Sequence, residues 1–536
     1  MNLVTDPWLP VSDTNNTLCY ISLNQLFEKP DEWLDLVLRP HERVSVMRFL
    51  ICIVQASLGG PGDIDAWHDA LDEIPEAGLT YLNKWHGSFD LFDKKKPFLQ
   101  IASLKLGNDN STGPTVTKLD STLAVGENGP TLFDHGAAGP VQGVCVNRKL
   151  LDRKLVISLM TFLNYSPSGT QSSANLSGKL ISHNSGAMDA PCVNQNMLHT
   201  FVVKNTLIQT IHANLLDREL VQEFYGEDSW GSPVWEIGEP ESLNDEIKYK
   251  NSVDTYLGRL TPLSRFCKLE QGSPYFIYCK GFQYSTKPKK KTDSKRVYAD
   301  FKPEPSSTVL VDSDNNYTVL KSGVNMPWRE VTSLISKRNK DSYGGALALK
   351  YLGHSDSFDL LVVGQVRDSK NVAKILDLIE SKVHIPAYMM DSYRQQAYES
   401  NIKICENKSF SLFKAVERYR VLLDDEWKGL VKRVVEKSTS EVDRKQRFIF
   451  RKKTVNHYWT LVEKQRHLLM QYISFLGTKQ DQEREDAKQA WQRAINHAAK
   501  ETYQILCPRE SPRQIRAYVA GESLLSPSKF YRKEET

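Results

Sequence analysis

Long apolar runs are missing from this chain. The longest, "FLICIVQA" and "LLVVG", are far shorter than the roughly 20 residues that span a bilayer, so no membrane partner is expected. The opening "MNLVTDPWLPV" has neither a basic n-region nor an apolar h-region. No secretory signal is read there, and the expected location is the cytoplasm. Paired cysteines are also missing. Eight cysteines are scattered over 536 residues with no C-x-x-C pair, and the closest two, Cys267 and Cys279, have eleven residues between them. That spacing argues against a zinc knuckle and against a disulfide framework, and fits reduced, mostly buried thiols.

Catalytic spacings are absent too. The sequence contains no G-x-x-x-x-G-K-[ST], G-x-G-x-x-G, H-E-x-x-H or G-x-S-x-G, so no phosphate-cradling loop, zincin pair or nucleophile elbow is recognised. The twelve histidines show no local pairing. The nearest approach to a metal constellation is "GGPGDIDAWHD", with Asp63, Asp65, His68 and Asp69. Carboxylates and an imidazole at this spacing suit a divalent ion, which makes a metal-dependent nuclease using Asp63, Asp65 and His68 one reading. The simpler reading is that Asp63 or Asp65 caps a helix and complements its positive end. The expectation is no catalytic residue, no metal and no cofactor.

What is present is an ordinary globular composition, 40% hydrophobic, 10% aromatic and 25% charged, in a chain long enough for more than one core. Net charge is only +4, yet it is unevenly placed. Residues 401–536 hold 28 Lys/Arg against 18 Asp/Glu, and residues 1–400 hold 41 against 47. The segment "TKPKKKTDSKR", Thr286–Arg296, concentrates six cations in eleven residues. Such a loop is either solvated or meets a polyanion, and a basic C-terminal third on an acidic body suits nucleic acid.

Periodicity divides the chain near Ile385. Before it, helical stretches such as "VSVMRFLICIVQASL" and "RKLVISLMTFLNY" alternate with strand-like runs, "SPYFIYCKGF", "SSTVLVDS" and "DLLVVGQV". After it, Leu412, Val416, Tyr419, Leu423, Trp427, Leu430 and Val434 recur at helical spacing. Val455, Trp459, Val462, Leu469, Ile473 and Leu476 form a second run, and Trp491, Ile495, Ala498, Thr502 and Ile505 a third. With the preceding "PAYMMDSYRQQAYESNIKIC" these make about four amphipathic helices with short loops, hence antiparallel neighbours. The fold class is therefore read as α+β: a large mixed α/β N-terminal domain, residues 1–385, followed by a C-terminal antiparallel four-helix bundle, residues 386–536. The aromatic stripe is read as core.

Four landmarks carry a family resemblance. The Pro-locked "MNLVTDPWLPV" resembles the N-terminal signature of the large subunit (CasA family) of the type I-E CRISPR Cascade surveillance complex. "KPFLQ" at Lys96–Gln100, "TLFDH" at Thr131–His135 and "LLVVGQVRDSKN" at Leu360–Asn371 are similar to later family segments in the same order. The resemblance implies a non-catalytic subunit that recognises the protospacer-adjacent motif (PAM) in duplex DNA. It would help start unwinding for guide RNA pairing and recruit a helicase–nuclease. Base pairing then does most of the sequence reading. Implied partners are the guide RNA, target double-stranded DNA, the backbone, small and 5′-handle-binding Cascade subunits, and the helicase–nuclease. A purely structural scaffold is the other alternative.

The resemblance also implies roles for particular residues. In "SPSGTQSS", Gly169, Thr170 and Gln171 would approach the PAM from the minor groove, where readout is degenerate. One of Lys289, Lys290, Lys291 or Lys295 would read the PAM, the others holding phosphates. Ser369, Lys370 and Asn371 would form a wedge that separates strands, although D-S-K-N also suits a helix cap begun by Asp368 or Ser369. In "TLFDH", Phe133, Asp134 and His135 would contact the guide RNA and a backbone subunit.

Overall fold

The computed structural model describes residues 1–107, 119, 148–166, 171–182, 190–193, 196–273, 275–284, 303–311, 317–338, 343–353, 356–368, 375–436 and 440–525. It divides into two compact units, Met1–Ala387 and Tyr388–Thr536. Every strand found lies in the first unit, and the second is helical. The α+β class read from the sequence is the one observed.

At the centre of the first unit is helix α1 (Pro40–Ser57), buried at every position from His41 to Gln55. A helix apolar on nearly all sides can only sit inside a core. Helix α2 (Ile64–Trp85) and helix α3 (Arg148–Tyr165) pack against it. Asp63 is the N-cap of α2, its carboxylate accepting from the Ala66 N–H at 2.9 Å. The opening motif does what a Pro-locked aromatic suggests: Trp8 is fully buried, donates from Nε1 to the Leu3 carbonyl at 3.0 Å, and meets Phe49 of α1.

Short antiparallel sheets surround these helices. Strands β1 (Leu9–Asp13), β2 (Leu18–Ile21) and β3 (Trp33–Leu36) form one sheet in the order β2-β1-β3. A second joins β4 (Leu104–Leu106), β5 (Ala174–Leu176) and β6 (Lys179–Ile181) in sequence order. Five later strands make further ladders. β7 (Leu198–Val203) belongs to a three-stranded sheet, β8 (Arg265–Leu269) pairs β9 (Phe276–Lys280), and β10 (Val309–Val311) pairs β11 (Tyr317–Val319).

The three-stranded sheet is completed by β12 (Phe358–Arg367) in the middle and β13 (Ile375–Ile385) at its edge, in the order β13-β12-β7. Pairing runs from Phe358↔Ile385 to Arg367↔Ile375, with a register shift at Val366/Arg367. Of the D-S-K-N segment only Asp368 is among the described residues, and the next described residues are those of β13. Gly364 in β12 is there because of a close approach: a Cβ would come within 1.9 Å of Ser322 Oγ and 2.8 Å of Leu198 Cδ2.

The second unit contains α4 (Ser392–Val421), α5 (Asp425–Val435), α6 (Glu441–Lys464), α7 (Arg466–Phe475), α8 (Asp481–Leu506) and α9 (Pro512–Glu522). The four helical runs are parsed differently from the periodicity reading. The segment preceding Leu412 is continuous with it in α4, and the chain breaks at Asp424, whose side chain caps α5. On α6 the buried stripe is Thr454, Tyr458 and Val462, with Trp459 only half-buried, because the Tyr458 hydroxyl donates to the Cys405 carbonyl at 3.0 Å. Trp427, Trp491 and Tyr503 are core. The bidentate pair Arg447–Glu417, at 2.7 and 2.8 Å, ties α6 to α4.

Local contacts and short loops let such a bundle fold without long-range closure. Residues 388–536 expressed alone are expected to give a helical far-UV circular dichroism spectrum and a cooperative thermal transition. A coil spectrum would count against independent folding.

Candidate nucleic-acid interface

Most residues to which the sequence gives a role lie outside the described residues: Gly169 and Thr170; Lys289, Lys290, Lys291 and Lys295; Ser369, Lys370 and Asn371; and Phe133, Asp134 and His135. Gln171 is described, and its side chain is buried at 2% exposure. The structure does describe the residues that flank three of these segments in the chain. They are close together.

The segment after α3 leaves from Tyr165 and Ser166, both buried. The segment after β12 leaves from Arg367, 6% exposed, whose Nη2 donates to the Tyr165 carbonyl at 2.9 Å. Its Nε donates to Gln365 Oε1 at 2.8 Å. The lysine segment leaves from Tyr284 and returns at Glu304. The Tyr284 hydroxyl accepts from the Leu263 N–H at 2.8 Å and lies 2.6 Å from the Ser252 hydroxyl.

Glu304, 1% exposed, takes one guanidinium on each oxygen: Arg48 of α1 on Oε2 and Arg259 of the short helix Tyr256–Leu260 on Oε1. Two residues on, Ser306 Oγ is 2.9 Å from His199 Nδ1. The other ring nitrogen of His199, Nε2, lies 3.2 Å from the Cys192 carbonyl. A carbonyl only accepts, so Nε2 carries the proton and Nδ1 accepts from Ser306. The His199 ring stands 6.1 Å from that of Tyr165, edge on. The residues flanking the three segments thus share one buried polar cluster.

Burial, then the Arg48 charge, lower the His199 pKa to about 4. Burial alone would raise that of Glu304, but the charges of Arg259 and Arg48 and their hydrogen bonds override it and bring it down to about 2. Arg48 signals this cluster weakly in the sequence, as one cation inside the apolar run "VMRFLICIV". Its partner is 256 residues away, and no local pattern points to it. Arg367 is visible only as one residue of the landmark "LLVVGQVRDSKN", and His199 has no sequence signal at all.

The competing metal reading fares differently. Asp63 is spent on capping α2, and the His68 ring packs edge-on to Trp67 at 5.1 Å. Among the described residues, no group of three or more His, Cys, Asp or Glu side chains is placed to hold a metal ion. Cys267 and Cys279 lie on the paired strands β8 and β9 as buried free thiols, and burial pushes Cys279 up to about 12. No helix among the described residues is long and apolar enough to cross a membrane.

Fold and site together define an α+β scaffold whose residues flanking three polar segments meet in one buried polar cluster. The chain belongs to the Cse1 family of CRISPR-associated proteins, whose family model matches residues 2–502. It is 23% identical over 433 residues to the CRISPR-associated protein CasA/Cse1 of Thermus thermophilus, covering 76% of this chain and 75% of that one. The crystal structure of Thermobifida fusca Cse1 superposes with a TM-score of 0.69 at 16% identity, covering 98% of this chain and 96% of the other. A chain of a CRISPR RNA-guided surveillance complex superposes with a TM-score of 0.63 at 16% identity, covering 98% and 99%.

The two low pKa values set an acid-side stability slope. Between pH about 6.5 and 4 the unfolded chain protonates His199 while the fold does not, so stability falls as pH falls. Glu304 extends the loss from pH about 4.5 to 2. The His199 contribution is on the order of 3 kcal/mol. Thermal unfolding followed from pH 7 to 4 should show this decline, and His199→Gln should flatten it. An unchanged slope in the variant would assign the effect elsewhere.

Proposed function

We propose that this chain is the non-catalytic large subunit of an RNA-guided type I-E CRISPR surveillance complex. In this reading it recognises the PAM in duplex DNA, begins strand opening and recruits a helicase–nuclease. The observation that carries it is the shared anchorage of the exits of three polar segments, at Tyr165, Arg367 and Glu304. A motif reader and a strand-separating element must act on adjacent base pairs, so their stems must be held at a fixed separation. Family membership and the likeness to a chain of a surveillance complex support the same reading.

Within it, the segment with Gly169, Thr170 and Gln171 meets the minor groove, and Lys289, Lys290, Lys291 and Lys295 provide phosphate contacts with one PAM reader among them. Gln171 would contribute backbone, since its side chain is buried. Ser369, Lys370 and Asn371 pry the first pair apart. Phe133, Asp134 and His135 meet the guide RNA and a backbone subunit. The chain needs no metal, cofactor or chemistry of its own for this work, and it acts in the cytoplasm.

Neutralising Lys289, Lys290 and Lys291 together should weaken target binding by the assembled complex. Each lost phosphate contact should reduce the log–log salt slope by about 0.9. Binding and salt slope both equal to the parent would reduce the segment to a solvated loop. Incubating the purified chain with duplex DNA and Mg²⁺ tests the alternative: cleavage that disappears in Asp63→Ala would overturn the non-catalytic reading.

A further inference from the structure

The C-terminal end of β12 is held by more than strand pairing. Asn196 brackets the backbone of Arg367: its Oδ1 accepts from the Arg367 N–H at 3.2 Å, and its Nδ2 donates to the Arg367 carbonyl at 3.3 Å. This happens where the ladder shifts register, so the Arg367 backbone relies on a side chain for partners that a regular ladder would supply. Asn196 is itself fixed in the left-handed region, with φ +56°, and its own carbonyl accepts from the Ser322 N–H at 2.6 Å. Asn tolerates this conformation better than most residues.

The Arg367 side chain then faces the other way. It is a buried cation whose planar fork reaches Gln365 Oε1 and the Tyr165 carbonyl, the latter at the C-terminal end of α3. A helix C-terminus is the negative end of its dipole and favours a cation there. A lysine has no fork to bridge two acceptors in different directions.

We infer that Arg367 is a positioning residue which, with Asn196, couples the C-terminal end of α3 to the C-terminal end of β12, so that motif recognition after α3 sets the geometry for strand opening after β12. This rests on the proposed function. Arg367 touches no nucleic acid in this role; it fixes the spacing of Tyr165 and Arg367, after which the two segments follow in the chain.

The test uses the assembled guide RNA complex containing the full chain. One arm measures equilibrium binding to a PAM-bearing duplex, and a second measures opening beside the PAM through 2-aminopurine fluorescence. A third repeats the measurement on a duplex already mismatched at the first pairs. For Arg367→Lys, and independently Asn196→Ala, opening should slow by about tenfold, within the usual range of coupling between sites. Initial binding should stay within about threefold, and the pre-opened duplex should restore the parental level. Parental opening in both variants would overturn the inference. So would an equal loss on closed and pre-opened duplexes, which would mark Arg367 and Asn196 as merely structural. A Ser369→Ala, Lys370→Ala, Asn371→Ala variant separates the two levels. If it opens duplex normally, the strand-opening reading fails and the coupling with it. If it is defective while the Arg367 and Asn196 variants are not, only the coupling fails.

Discussion

Glu304 between Arg48 and Arg259 is the constraint on which the first unit depends. Three charges are buried together, a net cation with one carboxylate serving two guanidiniums. Desolvating charges costs several kcal/mol per ion, and mutual attraction recovers this only when the geometry is nearly complete. Here each carboxylate oxygen has its own partner, Arg48 also donates to the Arg259 carbonyl, and Arg259 donates to the Val253 carbonyl at 2.9 Å. Removing Glu304 would leave two guanidiniums facing each other in the core. A triad of this kind adds little to stability compared with an apolar core, but it tolerates very few arrangements of the three backbones. It fixes how the central helix, the short helix Tyr256–Leu260 and the chain returning from the lysine segment meet.

The two units reach order by different means. The first closes contacts over long sequence distances, such as Arg48 with Glu304, Gln55 with the Leu216 carbonyl at 3.0 Å, and Gln100 with the Leu269 N–H at 2.6 Å. Its core forms only when most of its residues are present, which predicts slow, cooperative folding. The second relies on aromatic residues at helical spacing and on ion pairs between neighbouring helices, such as Arg433–Asp443 at 2.9 Å.

Legibility follows from the same division. Strands such as Phe276–Lys280 and Phe358–Arg367, the burial of Trp8 and the helical bundle were readable because each is written in local pattern. The choice between Tyr458 and Trp459 was not, since residues one apart fit the same helical stripe and a hydroxyl partner on another helix decides it. The D-S-K-N segment suits a cap or a turn equally well, and the strand that follows it is half polar, with weak alternation. For the site, the polar segments were visible as composition, whereas the cluster that anchors them was not. Arg48, His199 and Arg367 bond to partners 256, 107 and 202 residues away, and a buried ion or imidazole leaves no periodicity.

Strand β13 has one further consequence. Among the described residues it is the longest strand, at eleven residues, and only β12 pairs with it. An edge of that length normally invites a second chain to add to it. Asp377, Glu380, Lys382 and His384 all stand exposed along it, with Asp359 of β12 linked to Lys382 at 3.1 Å and to His384 at 2.8 Å. Closely spaced charges of both signs make stacking another strand costly, whatever that strand carries. The hairpin that holds the Arg367 junction is thus kept soluble by its own outer strand, and apolar substitutions there would be felt first as aggregation.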